Sequence, residues 1–579
     1  MKKYIFDIET NALWRPSKIW VLVLMDAETE KMETFVGDEV EKGVKKLHNN
    51  IVIGHNIIKY DIPVLQSFFP WFKPAKMYDT LLMSAFVWND LRSIDDRFVK
   101  LKQLPGRLYG SYSLEAFGYR LGVLKGEYGK KEGAWDSLTP EMIDYCQQDV
   151  RVTQALWKKL LTKKERIKTE PLELETKVAQ IIARQEDYGF AFDKSRALLY
   201  LDQIKKRMQE LNTELQRRFP PKVIRTKTKS GKIKEKIVPF NPNSRKMIGE
   251  RLQELGWKPK IFTATGQPMI NETILSQLSQ KYEEASLILE YLTLAKRLGQ
   301  LATGTNAWLK YVEEDGRIHG SVLTMGTVSH RMAHFKPNLA QVPSDSVWWG
   351  TELRSLFIAP EGRKLVGIDA SSLELRLFAH YLFPFDKGNY ARRVVSEDMH
   401  QYHADILGIS RREAKRFIYA FLYGAGDKLL GQIVGGDKKT GKKLREMFVK
   451  NIPGLKKLLY TLRGAQRAGA IKALDGRILH IRKEHAVLNL LIQSAGAIVM
   501  KRALVILDET LQKEGLIPRE DYEFVNNIHD EWQIEVKPKL AEDIGEAGCE
   551  AITKASEYYK LHVKLEGDYK VGQNWAETH

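Results

Sequence analysis

Near the C-terminal end, Asn526-Asn527-Ile528-His529-Asp530-Glu531-Trp532-Gln533-Ile534-Glu535-Val536 sets the adjacent carboxylates Asp530 and Glu531 between apolar, strand-like flanks. A tight hairpin would hold such a pair against divalent metal. Upstream, Lys364-Leu365-Val366-Gly367-Ile368-Asp369 reads as a buried strand ending in a further acid, followed by the helical pattern Leu373, Leu375, Leu377, Phe378 with Glu374 and Arg376 between. Carboxylates on separate strands that converge on a metal pair suit phosphoryl transfer, because two cations roughly 3.5–4 Å apart stabilise the attacking and the leaving oxygen together.

Between those acids, Ser410 and Glu413 have the spacing of a capping box, and Gly424 is placed to stop the helix they would start. Arg411, Lys415 and Tyr419 recur every fourth residue, so one face of that helix offers two cations and then an aromatic ring. Such a face could clamp a triphosphate and stack on its sugar or base. A surface helix with incidental charge is the plainer reading, but it leaves unexplained why the helix lies between the two acidic strands.

A second set of acids lies at the other end of the chain. Asp7 and Glu9 fall two apart on a predicted strand and so point to one face. Asp61 follows a further strand in Asn56-Ile57-Ile58-Lys59-Tyr60-Asp61, and Tyr145 and Asp149 share a helix face at i and i+4. Taken singly, each acid reads more readily as a cap or a surface residue than as a metal ligand. The ordered set resembles the DEDDy family of 3′-to-5′ exonucleases; that resemblance implies that Asp7, Glu9, Asp61 and Asp149 hold two Mg²⁺ ions and that Tyr145 orients the attacking water.

The elements that must position these groups follow from patterning. Residues 1 to about 165 alternate strands (Tyr4 to Ile8, Ile19 to Met25, Ile51 to Gly54) with helical segments such as Thr139 to Leu161, an α/β pattern. Helical spacing then runs through Val178, Ile181, Ile182 and Leu198, Leu201, Ile204, Met208, Leu211, Leu215, and stops at Phe219-Pro220-Pro221. Lys222 to Lys236 is basic and poor in apolar residues, and reads as a solvated loop or as an arm for a phosphate backbone.

With 579 residues and a net charge of +18, the composition favours a multidomain protein with a polyanionic partner. The two cysteines, Cys146 and Cys549, lack zinc-ligand spacing and make no disulfide framework, which fits a reducing cytoplasm. Acids at Asp7 and Glu9 interrupt any signal-like run, and no segment reads as long and apolar enough to span a membrane.

Taken together the motifs resemble family A DNA polymerases, in particular the replicative polymerases of short-tailed, T-seven-type bacteriophages. Gly367-Ile368-Asp369-Ala370-Ser371-Ser372-Leu373-Glu374-Leu375-Arg376 looks like motif A, Arg411 to Gly424 like motif B, and His529-Asp530-Glu531 like motif C. Pro337-Asn338-Leu339-Ala340-Gln341, Phe421-Leu422-Tyr423-Gly424-Ala425-Gly426-Asp427 and Gln493-Ser494-Ala495-Gly496-Ala497 are local matches. The resemblance implies an α/β, ribonuclease-H-like exonuclease domain over 1–168 and an α+β right hand over 169–579. Within the hand, the thumb would take about 195–300, the palm about 301–380 and 491–579, and the fingers about 381–490.

By residue, it implies that Asp369, Asp530 and the Ala370 carbonyl hold two Mg²⁺ ions, with Mn²⁺ able to substitute, and that Glu531 lies beside the primer end. His400, Arg411 and Lys415 would contact the incoming triphosphate, and Lys415 would protonate the leaving group. Glu374 with Tyr419 would exclude a 2′-hydroxyl, and Tyr423 would stack near the nascent pair. Arg331, Asn489, Gln493 and His529 would check the minor groove or hold the primer terminus. Primer–template DNA and deoxynucleoside triphosphates are the expected partners, with a helicase–primase as a further replisome contact. A monomer in the cytoplasm of an infected bacterium is expected.

Two departures matter. The family pattern T-x-T-G-R here reads Thr327-Val328-Ser329-His330-Arg331, which puts a side chain where the turn favours glycine. Close relatives that recruit thioredoxin carry a long thumb insertion where this chain has only the basic segment after Phe219, so thioredoxin dependence is not expected. A single-subunit RNA polymerase shares similar palm motifs, but Glu374 and the N-terminal acids speak against it. A non-catalytic single-strand binder would not need intact metal ligands.

Overall fold

The computed structural model describes residues 1–227, 233–263 and 265–579. The N-terminal unit is built on a mixed sheet of five strands, β1 (Lys3–Thr10), β2 (Ile19–Asp26), β3 (Met32–Val36), β4 (Ile51–Gly54) and β5 (Lys76–Asp79), in the order β3-β2-β1-β4-β5. β1 is central, antiparallel to β2 and parallel to β4. Its Phe6 and Ile8 are buried on one face, while Asp7 and Glu9 share the other face with buried Ile5. The helix Pro140–Leu161 starts at an N-cap made by Thr139 and lies against β1 and β2, burying Met142, Cys146, Val150, Leu156 and Leu160.

The rest of the chain is helical around a four-stranded antiparallel sheet, ordered Tyr522–Ile528, Glu531–Val536, Lys364–Ala370, Gly567–Gly572. This is a mixed α/β multidomain fold. Its largest core joins that sheet to the helices Leu373–Asp386, Arg411–Leu422 and Val487–Lys513. The helix Lys194–Arg218 ends where Phe219-Pro220-Pro221 predicts, and pairs with Glu283–Leu298.

Two expectations need correction. The basic segment is not a loop throughout: Lys222–Lys227 and Ile233–Val238 pair as an antiparallel ribbon, with Lys222 against Val238 and Lys227 against Ile233. Val223 and Ile237, directly opposed across the ribbon, are both exposed. Residues 228–232, which include Lys229 and Lys232, lie outside the described residues. Second, among the described residues the helix Val487–Lys513 is long and apolar enough to cross a membrane, with a mean hydropathy of 1.7 over its most apolar stretch. Of that stretch 83% is buried inside the protein, so the all-round apolar character belongs to a core helix.

Candidate functional site

In the C-terminal sheet, antiparallel register sets Asp369 directly opposite Glu531, and the turn His529-Asp530 closes the hairpin beside it. His529 takes a left-handed φ of +54°, and the Ala370 amide donates to the Asp530 carbonyl at 3.0 Å, tying the turn to the end of the neighbouring strand. Asp369 and Asp530 therefore leave one end of one sheet. Asp369 is open to solvent on one side, yet its desolvated surroundings, and then the charges of Asp530 and Glu531, raise its pKa to about 7. Asp530 is raised to about 6, again first by burial and then by the charge of Glu374. Carboxylates whose charged forms are disfavoured by burial and by nearby acids are a donor set that a divalent cation would stabilise, so these residues fit the implied Mg²⁺.

Glu531 is placed differently from its neighbours. It is buried and accepts from Trp575 Nε1 at 2.6 Å, Gln533 Nε2 at 2.7 Å and His579 Nδ1 at 2.9 Å. Burial pushes its carboxyl up, but these donors, His579 first, hold it below the usual range. A carboxylate so tied holds the hairpin to the last residue described. His579 and Asp568, which faces Asp369 from the strand Gly567–Gly572, were not picked out by sequence reasoning, because nothing in their spacing links them to Asp369.

The helix Arg411–Leu422 begins at the expected capping box, with Glu413 N donating to Ser410 Oγ at 3.3 Å and Ser410 N to Glu413 at 2.9 Å. It buries Ala414, Phe417, Ile418 and Phe421, the last two rings against Phe448 being Phe417 at 5.7 Å and Phe421 at 4.9 Å. The opposite face leaves Arg411 and Lys415 exposed and Tyr419 half-buried. Arg411 is steered by Asp398, 2.7 Å away, which also caps the helix carrying His400. His400 is 6.0 Å from the Tyr419 ring, its imidazole pushed below the usual range by burial and then by Lys415 and Arg411.

Glu374 accepts from Arg331 at 3.1 Å and from the Tyr423 hydroxyl at 3.3 Å. The hydrogen bond to this glutamate thus comes from Tyr423, one helical turn beyond the Tyr419 that the family resemblance suggested. Asn489 and Gln493 lie one turn apart on the helix Val487–Lys513, and the Asn489 side-chain Oδ1 is buried without a partner.

At the N-terminal sheet, Asp7, Glu9, Asp61 and Asp149 gather over the end of β1. Ile8 N donates to Asp61 Oδ1 at 3.3 Å, which fixes the helix start at Asp61 against that strand. Buried Asp79 shapes the intervening turn by accepting from Asn56 N at 2.9 Å and Ile58 N at 3.2 Å. Burial first, then repulsion within the cluster, raises Asp7 and Glu9 well above the usual carboxylate range, and burial, against backbone donors and with the charge of Asp79, raises Asp61 to about 7. Asp149 is raised to about 6 by burial against the pull of Lys125, and its Oδ1 is buried without a partner. An orphaned oxygen in a nest of mutually repelling carboxylates fits a divalent cation.

Two members of this nest were missed from sequence. Lys125 contacts Asp149 Oδ2 and sits 4.7 Å from the Tyr145 ring, while Cys146 Sγ lies 3.5 Å from Asp7 Oδ2. Cys146, Asp7 and Glu9 have donor atoms within 4.8 Å of one another. Burial raises this thiol well above its usual range, so Cys146 stays protonated and donates to Asp7.

Two carboxylate nests, one of them facing a helix that offers cations and aromatic rings, equip a phosphoryl-transfer enzyme for a polyanionic substrate; that is the class this fold and site define. The profile of DNA polymerase family A matches residues 205–577. The chain is 34% identical to the DNA-directed DNA polymerase of Enterobacteria phage T3, over 94% of each chain. It is 33% identical to that of Escherichia phage T7, over 99% of this chain and 100% of the relative. The polymerase domain of Pol1 from M. smegmatis, solved with DNA primer-template and dNTP, superposes with a TM-score of 0.78 at 18% identity, covering 99% of this chain and 96% of that one. The chain belongs to DNA polymerase family A and is a DNA-directed DNA polymerase of the phage kind.

Proposed function

We propose that this polymerase extends a DNA primer at Asp369 and Asp530 and proofreads it at a separate 3′-to-5′ exonuclease centre formed by Asp7, Glu9, Asp61, Asp149 and Tyr145. The observation that supports two centres is the presence of two carboxylate nests on two different sheets, each with raised pKa values. Asp369, Asp530 and the Ala370 carbonyl would hold the polymerase metals. Divalent cations bound there supply Lewis-acid stabilisation of the reacting phosphoryl oxygens.

The chain's own groups do the rest. Arg411, Lys415 and His400 bind the triphosphate of the incoming nucleotide, and Lys415, the second cation of that face, is the proton donor for the leaving pyrophosphate. Arg331 holds Glu374 against the sugar edge of the site, while Arg331, His529, Asn489 and Gln493 meet the primer–template on its minor groove. Acceptors there are common to all correct pairs, so these contacts test geometry without reading sequence. In the other centre Tyr145 orients the attacking water, with Lys125 keeping Asp149 charged. On this reading the domains divide near 168, and residues 195–300, 301–380 with 491–579, and 381–490 serve as thumb, palm and fingers.

Sugar selection gives a test confined to the pocket. The Tyr419 hydroxyl stands where it can replace the missing 3′-hydroxyl of a dideoxynucleotide. Tyr419→Phe is therefore expected to lower dideoxynucleotide use relative to deoxynucleotide by roughly a hundredfold, because a site built around a hydroxyl discriminates strongly when it is lost. Glu374→Ala is expected to raise ribonucleotide insertion by about tenfold or more. Single-nucleotide insertion kinetics measure both ratios; unchanged ratios in both variants would show the pocket to be assigned to the wrong residues.

A further inference from the structure

His330 stands immediately before Arg331 with a backbone φ of +59°, a conformation that favours glycine. Its ring is fully buried, its Nδ1 accepts from Arg477 Nη1 at 2.9 Å, and its carbonyl accepts from Lys501 Nζ at 2.9 Å. Both cations converge on Glu175, which accepts from Arg477 at 2.6 Å and from Lys501 at 2.7 Å. Asp475 takes the remaining Arg477 donors, at 2.6 to 3.0 Å. The side chains of Glu175, Arg477, Asp475 and Lys501 are at most 3% exposed.

These groups come from separated parts of the chain. Glu175 lies on the helix Thr169–Tyr188 that follows the N-terminal unit, Arg477 just before the strand Ile478–His480, and Lys501 on the core helix Val487–Lys513. From the N-terminal unit, Phe86 lies 5.1 Å under the Arg477 guanidinium, and Asn89 bonds both the Val328 carbonyl at 2.8 Å and the His480 amide at 3.0 Å. The segment 328–331 is thus clamped from three sides just where Arg331 turns to Glu374. Lys501 and Arg331 line the same small cavity beside His529, about 20 Å³ in volume.

We infer that Glu175, Arg477 and Lys501 are positioning residues for the polymerase centre: they hold His330 in its left-handed turn and so aim Arg331 at Glu374 and the primer–template. The inference rests on the polymerase reading above, in which Arg331 meets DNA. Burial, and then the charges of Arg477 and Lys501, push the His330 imidazole well below its usual range, so it is neutral and the two cations are balanced by two carboxylates. Removing one carboxylate leaves excess buried positive charge, which opens the cluster and releases His330. A glycine at 330 would need no such support, because it adopts φ > 0 without a steric cost.

Full-length Glu175→Gln is expected to lower kcat for correct insertion by about tenfold with KM for the nucleotide within about twofold, and to extend mismatched primers about tenfold more readily relative to matched ones. Excision of single strands should not change. Adding His330→Gly to that variant should recover at least about half of the lost kcat, a rescue that a merely structural role for Glu175 would not produce. If Glu175→Gln is unfolded by circular dichroism, the same comparison is made with Lys501→Met, with and without His330→Gly. Wild-type-like kcat and mismatch discrimination in the folded variant, or no recovery from His330→Gly, would overturn the inference. A wild-type chain that extends no primer would instead overturn the polymerase reading on which it rests.

Discussion

Asp530→Ala, and separately Asp369→Ala, should reduce primer extension by roughly a thousandfold or more while leaving 3′-terminal excision within about twofold of wild type. The size follows from geometry. Both acids leave the same end of the same sheet, the Ala370 amide holds the Asp530 carbonyl, and each carboxyl is raised by burial and by nearby acids. The neighbouring carboxylates are already engaged: Glu531 by Trp575, Gln533 and His579, Glu374 by Arg331 and Tyr423, and Asp568 by Ser371 at 2.9 Å. Removing either carboxylate should also relieve repulsion in the fold without metal, so the variants should melt no lower than wild type in chelator. Extension of a labelled primer under single-turnover conditions measures the rate. Residual extension within tenfold of wild type would show that the metal ligands lie elsewhere.

The counterpart is Asp7→Ala with Glu9→Ala, which should lower excision by at least about a hundredfold and leave nucleotide insertion unchanged within about twofold. The pH dependence of wild-type excision carries the same signature. Because burial raises Asp61 to about 7 and Asp149 to about 6, protons compete with metal below those values. Excision at subsaturating Mg²⁺ should therefore rise between about pH 6 and 8, and saturating Mg²⁺ should move the rise to lower pH. A pH-independent rate with limiting metal would remove these carboxyls from the metal set.

The sequence was legible where chemistry and local pattern coincide. Period-two spacing put Asp7 and Glu9 on one face of β1, and the Ser410–Glu413 box and the Pro220-Pro221 stop marked helix ends that the structure shares. Legibility failed where partners are distant in the chain. Lys125 reaches the N-terminal nest from a loop, Asp79 lies beside it at the end of β5, Cys146 comes from the helix packed on the sheet, and His579 reaches Glu531 across 48 residues. The helix Val487–Lys513 is apolar all round because it is buried all round, so periodicity gave no face to read. The ribbon after Phe219 is not legible as strands because its apolar residues are few and fall side by side, Val223-Ile224 and Ile237-Val238, with no period of two.

His330 shows both sides of this. Its departure from glycine flagged the turn, but only the structure brings Arg477, Lys501 and Glu175 to it from positions far along the chain.

The central claim is that two separate carboxylate nests bind divalent metal, one for synthesis and one for excision. Anomalous diffraction from crystals of the wild type, Asp530→Ala and Asp7→Ala/Glu9→Ala, each soaked in Mn²⁺, tests it most directly. The account predicts Mn²⁺ density in the wild type both between Asp369 and Asp530 and among Asp7, Glu9, Asp61 and Asp149, with each variant losing density only at its own nest. Density absent from the Asp369–Asp530 end of the sheet in the wild type, or lost from both nests in either variant, would contradict it.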